Sequence, residues 1–247
     1  MSKEWDGYFT DIDDKPAAVF VDMGIADDAP LARLAVVAWV KLRMLQPGAD
    51  GLASDQETAT LNAIAEALKA GLIWKSTAYV GCVTTDGRED FYFYTSAAQG
   101  WKEQVAGVLA VFPDYQYSCG SRPDREWDIY FDLLSPGDED LERIQNRRIC
   151  DALKNGGDRL DRARAIEHTA YFPDANSRDK FIRDVSALGY TVIEMIEPED
   201  RGEQFGVRIS GTGIPSHQNI DALTLPLYRA ATDYGGEYEG WETEVVR

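Results

Sequence analysis

Residues 76–94 read STAYVGCVTTDGREDFYFY, and this stretch decides the fold of the first half of the chain. Two runs rich in β-branched and aromatic residues, Ser76–Thr84 and Arg88–Tyr94, flank the dipeptide Asp86-Gly87. Asp-Gly between such runs is typical of a two-residue hairpin turn, because both turn positions need a positive φ angle. We therefore predict an antiparallel hairpin whose second strand carries aromatic rings on both faces.

A helix is predicted on each side of this hairpin. Ser54 with Glu57 has the spacing of a capping box, and so does Ser96 with Gln99. Apolar residues recur at helical spacing after Ser54, and Pro113 ends the second helical pattern. The apolar positions of the first helix are Leu61, Ile64, Ala65, Leu68 and Leu72.

Further strands are predicted outside these helices. They are Ala17–Met23, Arg33–Leu42, a run near Tyr115–Cys119 and Glu126–Leu133. The core order is strand, helix, two strands, helix, strand, with additional β structure at the edges. This order favours a split-βαβ, ferredoxin-like sandwich.

The second half repeats this plan after a helix that begins at Asp138 and ends at Asn155-Gly156. This helix is followed by a strand (Ala163–Phe172), a helix (Asn176–Leu188) and a two-stranded hairpin around the acidic loop Glu197–Glu203. A helix from about residue 216 to 234 and a last strand (Trp241–Val245) complete the half. The hairpin strands are Tyr190–Ile196 and Phe205–Ser210.

The predicted fold class is therefore α+β, with two tandem ferredoxin-like sandwiches and mainly antiparallel sheets. Ser135-Pro136-Gly137 marks the junction, so the expected domains are residues 1–135 and 136–247. One fused domain is the alternative, because 247 residues fix the domain number only loosely.

Acidic residues dominate both halves of the chain. The net charge is −18, of which −10 lies in residues 1–135 and −8 in the remainder. Nucleic-acid binding draws mainly on neutralisation of phosphates by Lys and Arg, so this composition disfavours direct contact with DNA or RNA. It favours attraction of a protein with a basic region.

The sequence has features of a cytoplasmic protein. No stretch approaches the roughly 18 apolar residues of a membrane helix, and the first residues lack a signal-peptide pattern. Cys82, Cys119 and Cys150 lie far apart and form no Cys-x-x-Cys pair, so we expect reduced, neutral thiols and no structural zinc or disulfide.

Catalytic patterns are weak. Only two histidines are present, His168 and His217, and no Gly-x-Ser-x-Gly motif accompanies them. Gly211-Thr212-Gly213 lacks the third glycine and the Lys-Ser/Thr of phosphate loops. Acidic runs such as Asp11–Asp14 do not have the spacing of a calcium loop. We expect no catalytic residue, metal or cofactor, although an enzyme with an interdomain site stays open.

The C-terminal half, from Asn146 to Arg247, contains several motifs in a fixed order. They are Arg148 with Asp151, Leu153 and Gly156, then Ile166-Glu167-His168, then Leu188-Gly189-Tyr190, and finally Tyr238-Glu239-Gly240-Trp241-Glu242-Thr243. With these motifs, this half resembles the RraB family of regulators of ribonuclease E activity. The last motif is the most specific, with Glu239 where the family usually has Asp.

The N-terminal half has its own motifs, which are Trp5 with Tyr8, Asp50-Gly51-Leu52, Thr85-x-Gly87-Arg88, Phe91-Tyr92-x-Tyr94, and Trp127 with Tyr130. With these motifs, it resembles an uncharacterised bacterial family that is often found ahead of RraB-like domains. This resemblance implies an architecture but no activity.

The RraB resemblance implies a regulator that binds ribonuclease E, or a related RNA-degrading enzyme, and performs no chemistry itself. The residues that it singles out for partner binding are Glu167, His168, Tyr238, Glu239 and Trp241. Packing is an equal alternative for His168 and the favoured one for Trp241. A small-molecule sensor with its ligand site between the two modules is the second hypothesis.

Overall fold

The computed structural model describes residue 2 and residues 4–73, 76–198 and 204–247. The chain divides into two compact units, Met1–Asp140 and Leu141–Arg247. The domain boundary expected after Ser135 stays a prediction, and most of the expected acidic loop Glu197–Glu203 lies outside the described residues. In the described part of the chain, no helix has the length and apolar character needed to cross a bilayer.

The described residues of the first unit form an antiparallel sheet of six strands with two α-helices. The strands are β1 (Trp5–Ile12), β2 (Lys15–Asp22), β3 (Val36–Arg43), β4 (Thr77–Thr85), β5 (Arg88–Thr95) and β6 (Tyr117–Pro123), and the helices are α1 (Asp55–Leu72) and α2 (Trp101–Leu109). The strand order is β1-β2-β4-β5-β3-β6. The predicted split-βαβ fold is confirmed by β3-α1-β4-β5-α2-β6, and the β1–β2 hairpin widens this sheet.

The predicted turn between β4 and β5 is present, with φ angles of 51° at Asp86 and 72° at Gly87. The β1–β2 hairpin has the same kind of turn, with φ angles of 52° at Asp13 and 60° at Asp14. Aspartate tolerates this backbone region better than most residues. The acidic run Asp11–Asp14 therefore contains a two-residue hairpin turn.

Both faces of β5 are buried, each against a different layer. Phe91 and Phe93 pack under α1 and α2. On the opposite face, the Trp127 ring stacks on Tyr94 with centroids 3.9 Å apart, and its Nε1 donates to the Leu34 carbonyl at 2.9 Å. The aromatic run is therefore core on both sides.

The strand predicted at Glu126–Leu133 is wrong, because Ile129–Leu134 forms a short π-helix. The buried Asp124 carboxylate accepts from the amides of Asp128 (3.0 Å) and Ile129 (3.2 Å), which starts a helical turn. The alternating apolar pattern reflects rings that cover the sheet. The Tyr130 hydroxyl, for example, donates to a β2 carbonyl, that of Asp22, at 2.7 Å.

The capping boxes are also wrong. Ser54 precedes α1, but its hydroxyl donates to the Gln46 carbonyl at 2.6 Å. Glu57 is buried and accepts from the amides of Leu45 and Gln46, each at 2.7 Å. The second helix begins at Trp101, and the residue before it is Gly100, whose φ angle is 75°. Ser96 is therefore too early in the chain to cap this helix. Glu57 thus uses its carboxylate to hold the loop that leaves β3.

The described residues of the second unit form a four-stranded antiparallel sheet with three α-helices. The helices are α3 (Asp138–Asn155), α4 (Ala175–Ala187) and α5 (Ile220–Asp233), and the strands are β7 (Arg164–Phe172), β8 (Thr191–Ile196), β9 (Phe205–Gly213) and β10 (Glu237–Glu242). The order β10-β7-β9-β8 repeats the split-βαβ plan, as predicted. Pro226 lies inside α5, which begins at residue 220 rather than 216.

The three helices of this unit lie on one face of its sheet. Phe172 of β7 and Val207 of β9 pack against Phe181 of α4 and Leu227 of α5. Ile166, also on β7, belongs to a cluster with α3. Since side chains alternate along a strand, the even-numbered positions of β7 face the helices and the odd-numbered ones face away.

Replacement of Trp127 by alanine should lower the free energy of unfolding by about 3–5 kcal/mol, since it leaves a cavity on Tyr94 and an unpaired Leu34 carbonyl. Urea unfolding measures this change. Phe131→Ala, in the same segment but 41% exposed, is the control and should cost far less. Equal losses for the two variants would contradict the assignment of Trp127 as the covering ring.

Candidate partner-binding face

Strand β7 separates the two adjacent residues that the sequence singled out. His168 is 2% exposed and faces the helices, whereas Glu167 is half-buried and faces away from them. The strand register agrees with these orientations, since His168 lies opposite the buried Trp241 and Glu167 lies opposite the exposed Glu242. Only one residue of the pair is therefore available to a partner.

A bulge in β10 gives the closing motif two inward rings. Tyr238 and Trp241 are three positions apart, a spacing that would place them on opposite faces of a regular strand. The register shifts between Tyr238 and Gly240, so that Glu239 is an extra residue, and Gly240 adopts a φ of 128°. Both rings are buried, while Glu239 and Glu242 are exposed.

His168 is a packed residue of the sheet. Its Nδ1 lies 2.8 Å from the Tyr238 hydroxyl, and its ring meets that of Tyr190 edge-on with centroids 5.3 Å apart. Burial lowers the pKa of His168 to about 4. The imidazole is therefore neutral at physiological pH and supports the inner face of the sheet.

Trp241 is held by a buried polar network. Its Nε1 donates to Oδ1 of Asn146 at 2.7 Å, and Asn146 is 1% exposed. The amide nitrogen of Asn146 donates to Asp221 (2.8 Å) and to Thr224 (2.7 Å) on α5. This network joins α3, α5 and β10, so Trp241 has a structural role.

The outward face has an arginine at its centre, which sequence reasoning missed. A guanidinium nitrogen of Arg208 lies 2.6 Å from Glu167 and 2.5 Å from Glu242, and the other terminal nitrogen lies 3.3 Å from Glu194. We call Glu167, Glu194, Glu239, Glu242 and Arg208 the acidic sheet face. The sequence signals for this face were the motif residues Glu167, Glu239 and Glu242. The position of Arg208 depends on strand register, so spacing alone does not reveal it.

A shallow concavity of about 360 Å³ lies within the acidic sheet face. Tyr171 and Ile196 form part of its wall. Tyr171 packs over Gly206, where a Cβ atom would lie 2.7 Å from the ring. An aromatic and an aliphatic side chain thus adjoin several carboxylates, as in interface patches with an apolar centre and a charged rim.

The other groups that the sequence offered for chemistry are engaged in packing or pairing contacts. Burial raises the pKa of the Cys82 thiol to about 12 and that of Cys150 to about 11, so both are neutral. Gly211-Thr212-Gly213 lies in β9, where the Tyr190 ring packs over Gly211. His217 Nε2 lies 2.9 Å from an Asp151 oxygen. Across the described ranges, no group of three or more metal-binding side chains converges.

The comparisons with protein families agree with the two-unit division of the fold. Residues 3–135 match the model of DUF695, a family of unknown function. Residues 143–243 match the model named regulator of ribonuclease activity B, RraB. The resemblances of both halves are confirmed by these matches.

Similarity to individual proteins is low. No curated protein matches the chain. An unknown protein from Galdieria sulphuraria has 12% identity and a TM-score of 0.23, with 85% of this chain and 99% of that chain covered. A candidate glycine cleavage system transcriptional repressor has 12% identity and a TM-score of 0.26, with coverages of 85% and 98%.

The buried His168 should titrate far below an exposed imidazole. Nuclear magnetic resonance of the ring protons, with His217→Gln for assignment, should show a pKa near 4. In the unfolded chain the pKa is about 6.5. Unfolding therefore takes up a proton between about pH 4 and 6.5, and the stability that neutral His168 contributes is lost as the pH falls through that window. A titration near pH 6.5 in the folded protein would contradict its burial.

Proposed function

The chain belongs to the DUF695 family, and because its second unit also matches RraB, we propose that it is a non-enzymatic regulatory protein that binds a basic segment of a partner protein. The partner proposed is ribonuclease E or a related RNA-degrading enzyme, whose activity this binding inhibits. The domains proposed for this arrangement are residues 1–135 and 136–247. The match to a regulator family supports the regulatory role in general.

The acidic sheet face is the observation that carries the proposal. Glu239 and Glu242 are exposed, Glu194 is 53% exposed, and the helices of the unit pack on the opposite face. Four carboxylates against one guanidinium give this face a negative potential, which attracts a basic segment and speeds association.

Arg208 organises this face as well as reducing its charge. Its ion pairs hold three glutamates from β7, β8 and β10 around one point. Carboxylates that are already positioned lose less side-chain entropy on binding. A partner arginine or lysine can then replace the contacts of Arg208 with the same oxygens.

The test is direct binding of the full chain to purified ribonuclease E, with and without its basic RNA-binding region, together with RNA cleavage. Complex formation that needs the basic region and slows cleavage would support the proposal. Absence of a complex at low salt would remove this partner. Binding should weaken as salt rises, since exposed charges are screened.

Glu239→Lys should weaken this complex about tenfold with little change in melting temperature, because it reverses an exposed charge of the acidic sheet face. Asp233→Lys is the matched control, with the same charge change on α5, across the sheet from this face. Calorimetric titration measures both variants. Equal weakening would mean that net charge alone, and not this face, determines binding.

Arg208→Gln should act in the opposite direction and tighten the complex several-fold. Arg208 competes with the partner's cations for the same oxygens, and we expect the loss of this competing charge to outweigh the loss of positioned carboxylates. The cost in stability should be about 1 kcal/mol or less, as for other exposed ion pairs. The same calorimetric titration, with urea unfolding, checks both effects. Weaker binding of a folded Arg208→Gln variant would mean that Arg208 itself contacts the partner.

A further inference from the structure

A second concavity, of about 900 Å³, lies in the first unit where the loop after β3 meets the β4–β5 turn. Arg43, Arg88 and Lys15 are among its lining residues. This volume lies within the range of small-molecule sites. All of its lining residues belong to the first unit, and none of them is part of the acidic sheet face.

The wall of this concavity is formed by two motifs docked on each other. The Gly87 amide donates to the Gly51 carbonyl at 2.9 Å, and the Gly87 carbonyl accepts from the Met44 amide at 2.9 Å. Gly51 has a φ of 79°, and a Cβ atom there would lie 3.1 Å from the Asp86 amide. Only glycine allows this approach. These glycines belong to the Asp50-Gly51-Leu52 and Thr85-x-Gly87-Arg88 motifs.

Two arginines face each other in this wall. Arg43 on β3 and Arg88 on β5 are register partners, and both are exposed. Like charges directly opposite in an antiparallel pair are destabilising. Among the described residues, neither guanidinium has a carboxylate within ion-pair distance. Asp86 pairs with Lys15 at 2.7 Å and acts on Arg88 only through its charge. The two guanidinium groups therefore lack a direct ion-pair partner, although the chain has a net charge of −18.

We infer that this concavity, the arginine pocket, binds a small phosphorylated molecule through Arg43 and Arg88. Guanidinium groups bind phosphate and carboxylate oxygens through paired, charge-assisted hydrogen bonds. A phosphate dianion neutralises both arginines, whereas a single carboxylate neutralises one. Lys15, which is paired with Asp86, also lines the concavity and is a third cation there. The pocket lies within one unit and differs from the interdomain ligand site expected from sequence.

The carboxylates of the wall do not oppose this assignment. Asp50 accepts from the Leu52 amide at 3.0 Å and so stabilises its own loop. The hydrogen bond from Lys15, together with the charges of Lys15 and Arg88, lowers the pKa of Asp86. Asp114, at the exposed rim, can accept from a hydroxyl group of the ligand.

The experiment is calorimetric titration of the full chain with inorganic phosphate, diphosphate and succinate at constant ionic strength. The expected result is one site that binds diphosphate more tightly than succinate. Arg43→Gln and Arg88→Gln should each weaken binding about tenfold, whereas Arg122→Gln, which removes the same charge from β6 outside the pocket, should not.

Melting temperatures give a second, independent measurement. Without ligand, Arg88→Gln should melt at or above the temperature of the unchanged chain, because it relieves the opposed charges. Diphosphate should raise the melting temperature of the unchanged chain and not that of the variant. Absence of binding at millimolar diphosphate, binding unaffected by both pocket variants, or tighter binding of succinate would each overturn the assignment. None of these outcomes bears on binding of ribonuclease E.

Discussion

The hydrogen bond from Trp241 to Asn146 is the constraint on which the C-terminal unit depends. Asn146 is buried, and both ends of its side-chain amide are hydrogen-bonded. Its oxygen accepts from Trp241, and its nitrogen donates to Asp221 and Thr224 of α5. A buried amide without these partners would cost more free energy than the network contributes. The network therefore permits only one placement of β10, with the indole inward and the neighbouring carboxylates outward.

This placement gives the residues of the two RraB-like motifs on β7 and β10 two different roles. His168, Tyr238 and Trp241 form the inner face, where the hydrogen bond between His168 and Tyr238 and the neutral state of the imidazole suit a dry core. Glu167 and Glu239 lie on the outer face. A substitution among the inner residues acts on stability, and only one among the outer residues can separate binding from folding.

The sequence predicted the fold where the signal was local. The dipeptide Asp86-Gly87 is a specific sequence signal for the turn that it forms. Asp13-Asp14 forms the same kind of turn, but its residues are common in loops in general and so did not predict it. The segment Glu126–Leu133 alternates like a strand, yet its rings cover a sheet formed by distant residues. The position of Arg208 among its glutamates depends on strand register and on the bulge at Glu239. Such long-range features cannot be read from spacing alone.

Contact mapping tests the central claim, that the acidic sheet face is the surface that meets the partner. A photo-crosslinking amino acid at Glu242, which is 71% exposed, is compared with one at Asp233 on the helical side of the same unit. In a mixture of the full chain with ribonuclease E, we expect crosslinks from position 242 and none from position 233. Crosslinks from position 233 alone would contradict binding at the acidic sheet face and would place the binding surface on the helices.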